Sequence, residues 1–332
     1  MALSFTGNKK IVNLVFKDHV IRHTELKSIN PPVIQSYGEH YLPAGVIRDG
    51  KILDHETLQN ILDEVIDEWK LTKKQVRFLV PDPFIIIRKI MIPKEVKDDE
   101  IEGYLYLELG VTIHLPFEDP VFDAVVLDET NDKKELLLFA APESVVSEYS
   151  DLLEDSKLKT IAADISPLSL YRLYDLSGQA SAEDHLMLLQ VDLETVNASI
   201  FFDDKPVFMR QISISDEAGE WEKEFKTITE QYELVLKKNE KKDYMTMLED
   251  TYTEIERVID FYKYSLNRGA VDVTKILLTG DHPFLDEISE EIGRRFEPPI
   301  DFIDTELLTP SKGEILPNRY LLSCGLALKG VK

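Results

Sequence analysis

The chain has 332 residues, long for one domain and sufficient for two lobes with real cores. Acids outnumber bases by 62 to 38, and the net charge of −24 argues against nucleic acid or a bare anionic membrane as a partner. A single cysteine, Cys324, rules out an internal disulfide and a cysteine zinc cluster, and fits a reducing, cytoplasmic setting.

Met1–Lys10 lacks the basic-then-apolar pattern of a secretion leader, and no apolar stretch approaches the ~20 residues of a spanning helix. Membrane contact is therefore expected only through a partner. The first predicted elements are strands: Ile11–Phe16, Val20–Leu26 and Val33–Leu42. Asp49-Gly50, between Val46 and Leu53, signals a hairpin, because this pair tolerates the positive φ of a tight turn. Leu58, Ile61, Leu62, Val65, Ile66 and Trp69 recur at helical spacing, and Val76–Val80 returns to strand.

A small α+β unit then reads as inserted at 81–158. It has a strand over Phe84–Ile92, a helix over Lys97–Val111, paired strands over Val121–Leu127 and Glu135–Ala141, and a helix over Glu143–Glu154. Phe84-Ile85-Ile86-Ile87 is apolar on both faces, and Leu115-Pro116-Phe117 follows the unit's first helix. Phe84, Ile86, Leu115 and Phe117 are candidate lining residues for a groove that pairs with an extended peptide; each also has a plain use as filling for the unit's own core. Lys159–Ala163 and Ser166–Tyr174 bring strand and helix back to the first lobe, which comprises 1–80, 159–182 and 317–332.

The second lobe, 183–316, opens as the first does. Leu186–Val191 is a strand, and Ala198–Phe202 with Lys205–Ile214 a hairpin, so the pattern predicts a duplicated, ribonuclease-H-like α/β fold. A helical subdomain is expected at 216–268, from one stripe of Trp221, Phe225, Ile228, Tyr232 and Val235 and a second of Leu248, Ile255, Val258, Ile259 and Tyr262. Lys275–Thr279, Phe284–Phe296, Ile300–Ile303 and Asn318–Leu328 follow as strand, helix, strand and closing helix. His19 and His23 stand four apart on a strand, some 13 Å along one face, which does not suit a shared metal. Lys237, Lys238, Lys241 and Lys242 read as a solvated helix end beside Glu240 and Asp243. There is no Walker A loop, nucleophile elbow or metal-ligand spacing.

Several segments resemble PilM-like proteins of type IV pilus machinery, in collinear order along nearly the whole chain. They are Leu42–Asp54, Ile85–Lys94, His114–Phe117 with Val121–Asp128, Ala140-Ala141-Pro142 with Tyr149, Ala163–Leu170, Glu254–Tyr262 and Ile276–Gly280. The resemblance implies a two-lobed actin-like fold with an inserted subdomain. It implies a cytoplasmic scaffold that docks the cytoplasmic tail of a bitopic, PilN-like membrane protein among other pilus assembly platform proteins.

The actin-like fold holds ATP and magnesium at three glycine-bearing turns, and this chain departs from them. No glycine lies between Gly7 and Gly38, the family's metal-side Asp falls on Val15, and the first turn offers Lys17-Asp18-His19. The second keeps Asp192 but continues Leu193-Glu194, placing a charge that repels a phosphate ~4 Å away by roughly 4 kcal/mol. The third keeps Gly280 and proceeds Asp281-His282-Pro283, with one backbone donor lost to proline. No cofactor is expected, and no catalytic or metal residue is assigned. In the alternative, Lys17, Asp192 and Gly280 still bind ATP with magnesium as an active actin-like protein of the same machinery. A cell-division protein resembling FtsA is the other alternative; its class ends in an amphipathic helix, for which Ala327–Lys332 leaves no room.

Overall fold

The first apolar run, Ile11–Phe16, becomes the centre of a sheet that collects strands from far along the chain. The computed structural model describes residues 11–214, 221–226, 231–237, 241–311 and 316–330. Met1–Lys10, the start of the expected helical subdomain at 216–220, Ile228, Lys238 and Glu240 lie outside the described residues. The chain divides into two units, one running to Gly178 and resuming at Asp304, the other comprising Gln179–Ile303.

The first unit begins with β1 (Ile11–Lys17), β2 (Val20–Ile29) and β3 (Pro32–Tyr41), then the two-residue strands β4 (Ile47–Arg48) and β5 (Lys51–Ile52). Helix α1 (His55–Glu68) is capped by Asp54, whose carboxylate accepts from the Thr57 N–H at 3.0 Å, and it buries Leu58, Leu62, Val65 and Ile66. After β6 (Gln75–Leu79) the chain forms β7 (Ile86–Pro93), α2 (Ile101–Glu108), β8 (Pro120–Glu129), β9 (Lys133–Pro142) and α3 (Glu143–Asp155). It returns as β10 (Lys159–Asp164) and α4 (Ser166–Leu176).

The second unit holds β11 (Leu186–Val191), β12 (Thr195–Phe202), β13 (Lys205–Ser213), β14 (Trp221–Lys226) and β15 (Gln231–Leu236). Helices α5 (Lys241–Met247) and α6 (Glu249–Asp260) run into a π-helical turn at Phe261–Leu266. Then come β16 (Lys275–Gly280), α7 (Leu285–Arg295) and β17 (Ile300–Asp301). Back in the first unit, β18 (Thr309–Pro310) pairs with β3, and α8 (Leu321–Ala327) follows.

The large sheet of the first unit has the order β10-β6-β1-β2-β3-β18, and that of the second β13-β12-β11-β16-β17. In each, three consecutive strands form an antiparallel meander, the first of them is joined by a later parallel strand, and that strand by a second parallel one. Two crossovers to parallel strands on the same side produce the same five-strand order twice, the repeat that the strand pattern predicts. The first core gathers Val12, Leu14, Phe16 and Ile21 with the buried face of α1 and Tyr149, Leu152 and Leu153 of α3. The second gathers Met187, Leu189, Val191, Val196, Ala198 and Ile200 with Tyr252, Ile255 and Val258 of α6. Each fully buried side chain of this kind contributes roughly 1.5–3 kcal/mol.

Between β6 and β10, neighbours in the large sheet, the antiparallel sheet β7-β9-β8 closes a separate small core of Ile92, Ile101, Leu105, Ile113, Leu136 and Leu138. Three expectations change. Helix α3, grouped by sequence with the segment 81–158, packs in the large core through Tyr149, Leu152 and Leu153. The return to the first unit comes at Asp304, not 317, because the two-residue β18 is too short to carry a period. The described part of the stripe Trp221–Val235 falls on two antiparallel strands, β14 and β15, with Trp221 opposite Leu236 and Phe225 opposite Tyr232. A four-residue spacing such as Trp221–Phe225 puts residues on one face of a helix and of a strand alike; the alternating Glu222 and Glu224 belong to the strand.

Candidate functional site

Each of the three expected phosphate turns is closed by partners from its own unit. In the first unit, β1 and β2 are joined by Asp18 and His19 alone, with Lys17 opposite Val20. The Asp18 carboxylate accepts from the Asp49 N–H at 2.6 Å and the Gly50 N–H at 3.0 Å, so it caps the β4–β5 turn. Asp49 and Gly50 have φ of 49° and 70°, the conformation a two-residue hairpin requires. The Gly50 carbonyl accepts from the fully buried Tyr149 hydroxyl at 2.9 Å, and burial pushes the Tyr149 phenol well above its ordinary range. A Cβ on Gly50 would meet Pro81 Cβ at 2.4 Å and Phe84 Cε2 at 3.4 Å.

In the second unit, the Asp192 N–H bonds the Thr195 carbonyl at 2.8 Å, which makes the second turn tight. Asp192 is 4% exposed, and Gln190 Nε2 donates to its Oδ2 at 2.5 Å. The Glu194 side chain is exposed, and its carbonyl accepts from the Ile214 N–H at 2.8 Å. Gly280 has φ +134°, and a Cβ there would lie 1.9 Å from the Val191 carbonyl oxygen, so packing of β16 on β11 by itself demands glycine. That same Val191 oxygen accepts from the His282 N–H at 3.2 Å, and His282 Nδ1 accepts from the Phe284 N–H at 3.0 Å. With Nδ1 accepting, Nε2 carries the ring proton and donates to the Tyr244 hydroxyl at 2.6 Å. Trp221 completes the cluster, with ring centroids 5.4 Å from Tyr244 and 5.7 Å from His282. Among the described residues no three His, Cys, Asp or Glu side chains converge as metal ligands.

The expected groove residues divide between two settings. Phe84 is not in a strand but ends a 3-10 turn, Asp82–Phe84, and its half-buried ring packs toward Gly50. Pro81 precedes that turn and Pro83 lies within it, and their fixed φ delays the strand to Ile86. Ile86 opens β7 opposite Ala140. Arg88, two residues along on the same face, donates from Nη1 to the His114 carbonyl at 2.8 Å, which ties β7 to the connection bearing the half-buried Leu115 and Phe117. Ile86 and the 115–117 segment thus lie toward the same end of the small sheet. Sequence reasoning did not single out Arg88, Asp18, Gly50 or Tyr149 as working together; only the Asp-Gly pair carried a signal.

His23 is buried against Trp69 at a centroid distance of 4.2 Å. Burial, and then the charge of Lys74, pushes its pKa down to about 3. Of the lysine cluster, Lys241 pairs with Glu287 and lies over the Phe284 ring at 4.9 Å.

The duplicated five-strand order, with a small sheet emerging between β6 and β10, defines the chain as an α/β protein of the two-lobed actin-like class. The family model described as type IV pilus assembly protein PilM matches residues 18–331, and the chain belongs to that family. A solved structure described as a PilM-PilN type IV pilus biogenesis complex is similar over 97% of this chain and 99% of that one, at a TM-score of 0.77 and 16% identity. The ethanolamine utilization protein EutJ of Carboxydothermus hydrogenoformans is similar over 96% of this chain and 89% of its own, at a TM-score of 0.51 and 10% identity. No curated protein sequence matches. Among the described residues no helix is long and apolar enough to cross a membrane.

Proposed function

We propose that this chain is a scaffold of type IV pilus assembly, or of a related secretion or competence pilus, and works without nucleotide hydrolysis. Its task is to dock the cytoplasmic tail of a PilN-like bitopic membrane protein and so to sit at the inner face of the cell membrane through that partner. A similar solved structure is described as a PilM-PilN complex, which supports the choice of partner. The end of the small sheet that carries Ile86, Leu115 and Phe117 is the proposed tail groove. β7 is an edge strand there, able to pair with an extended peptide while neighbouring side chains select its residues.

One observation carries the scaffold reading over an ATPase. The backbone N–H groups of Asp192, His282 and Phe284, where phosphates and metal are held in this fold class, already bond to the chain itself. Gly280 likewise has a steric reason that needs no ligand. A triphosphate would have to break these bonds and face Glu194 as well.

Capture of synthetic N-terminal tails of PilN-like proteins by the full chain tests the docking half. Phe117→Asp and Ile86→Asp are expected to abolish capture, and undiminished capture by both rejects the groove. Calorimetric titration with magnesium-ATP tests the other half: no heat is expected, and micromolar binding would restore the ATPase reading.

A further inference from the structure

Among the described large apolar side chains, Leu107 and Val111 are the most exposed, at 77% and 68%. Leu107 lies on the outward side of α2 with Tyr106, which is 56% exposed although its ring leans on Phe122 at 4.7 Å, and Val111 stands just past the helix in the turn after Gly110. The opposite side of the helix is spoken for, since Ile101 and Leu105 fill the small core. Gly103 lies one turn before Leu107 and so on the same face. A Cβ on Gly103 would meet nothing within 4 Å, so no packing inside the chain calls for glycine, although a mid-helix glycine weakens the helix. A bare strip of backbone beside a protruding leucine is what close approach of a second helix uses.

The surroundings choose the occupant. From Asp98 to Asp119 there are seven acids, Asp98, Asp99, Glu100, Glu102, Glu108, Glu118 and Asp119, and no lysine or arginine. Lys134 reaches Asp98 and Lys97 reaches Glu100 from outside the segment, and the remaining acids still leave the stretch net negative. Such a rim repels anionic lipid headgroups. It also repels a second copy meeting it through the same face, since an isologous contact sets acid against acid.

We infer that the Gly103–Tyr106–Leu107–Val111 face docks a cationic amphipathic helix of a partner protein. The apolar side of that helix covers Leu107 and Val111, its backbone passes over Gly103, and its lysines or arginines meet the acidic rim. The surface is separate from the tail groove and adds a second attachment point to the scaffold.

The probe is a labelled helical Leu/Lys peptide, with a Leu/Glu peptide of the same period as its opposite, titrated against the full chain by fluorescence anisotropy. The Leu/Lys peptide is expected to bind and the Leu/Glu peptide not. Leu107→Ser, which leaves the charge unchanged, is expected to weaken binding at least ~tenfold, about 1.4 kcal/mol. Gly103→Ala separates docking from fold integrity, because it is expected to raise the thermal midpoint and yet weaken the peptide several-fold. Equal binding to Leu107→Ser would reduce the effect to bulk charge attraction and overturn the proposal, as would equal binding of the Leu/Glu peptide. Self-association, or binding to phosphatidylglycerol vesicles, that disappears in Leu107→Ser would assign the face to another occupant and overturn it too.

Discussion

The two large sheets share a strand order but close their first hairpins in different ways. β1 turns into β2 across Asp18 and His19, and the Asp18 carboxylate reaches out to hold the Asp49–Gly50 turn. β11 turns into β12 across Asp192, Leu193 and Glu194, and Asp192 is buried and held by Gln190. Order and register answer to packing on both faces of a sheet, and a one-residue slip would turn each core inside out. A turn has only to satisfy its own polar groups, and any partner of suitable geometry does that. The repeat therefore survives in the strands while the turns go separate ways, one into a clamp on a hairpin and the other into a sealed carboxylate.

The sharpest way to test that contrast is to attack the close backbone approach that each unit uses. A Cβ on Gly280 would sit 1.9 Å from the Val191 oxygen, and one on Gly325 in α8 would sit 2.0 Å from the Ser169 oxygen of α4. Gly280→Ala and Gly325→Ala are each expected to cost ~3 kcal/mol or more in denaturant unfolding, at the upper end of overpacking effects. Should the units unfold in separate transitions, each substitution shifts its own transition alone. A loss under ~1 kcal/mol at either site would show that the approach is looser than drawn.

A smaller effect belongs to the first unit. His23 stays neutral in the fold with a pKa pushed down to about 3, whereas an unfolded histidine titrates near 6.5. Below 6.5 the unfolded chain takes up a proton that the fold refuses. The stability contribution is thus whole above pH 6.5 and is lost as pH falls toward 3, by about 1.4 kcal/mol per unit. Thermal midpoints between pH 7 and pH 4.5 are expected to fall less steeply in His23→Gln than in the parent, and parallel slopes would refute the assignment.

Smaller again is Tyr149→Phe, which removes the donor to the Gly50 carbonyl and is expected to cost ~1 kcal/mol by equilibrium unfolding. Asp18→Asn keeps one acceptor for the Asp49–Gly50 turn and is expected to cost less than ~1 kcal/mol. If Asp18→Asn proved costlier than Tyr149→Phe, the carboxylate rather than the phenol would be the main support of the hairpin.

Much of the fold was legible because its signals are local. The run Leu186–Val191 could be little but a buried strand, the stripe from Leu58 to Trp69 little but a helix, and Asp49-Gly50 little but a turn. The stripe from Trp221 to Val235 failed for the opposite reason, since its spacing satisfies two periods and only the antiparallel pairing of β14 with β15 selects one. The candidate groove was legible as a list of apolar residues and not as a place. Pro81 and Pro83 turn Phe84 away toward Gly50, and the connection that bears Phe117 is tied to β7 because Arg88 bonds a carbonyl 26 positions further along the chain.

Amino-acid order by itself determined the repeat of strands, the excess of acid over base, the loss of glycine from two of the three turns and the family likeness. All of these are properties of neighbours along the chain or of composition. Only the tertiary structure decided that Gly280 is required by the Val191 carbonyl, that Asp18 serves a distant hairpin and that Gly103 faces open space beside Leu107. Those facts depend on which backbone atoms come within a few ångströms of one another after folding, and spacing along a sequence does not encode that.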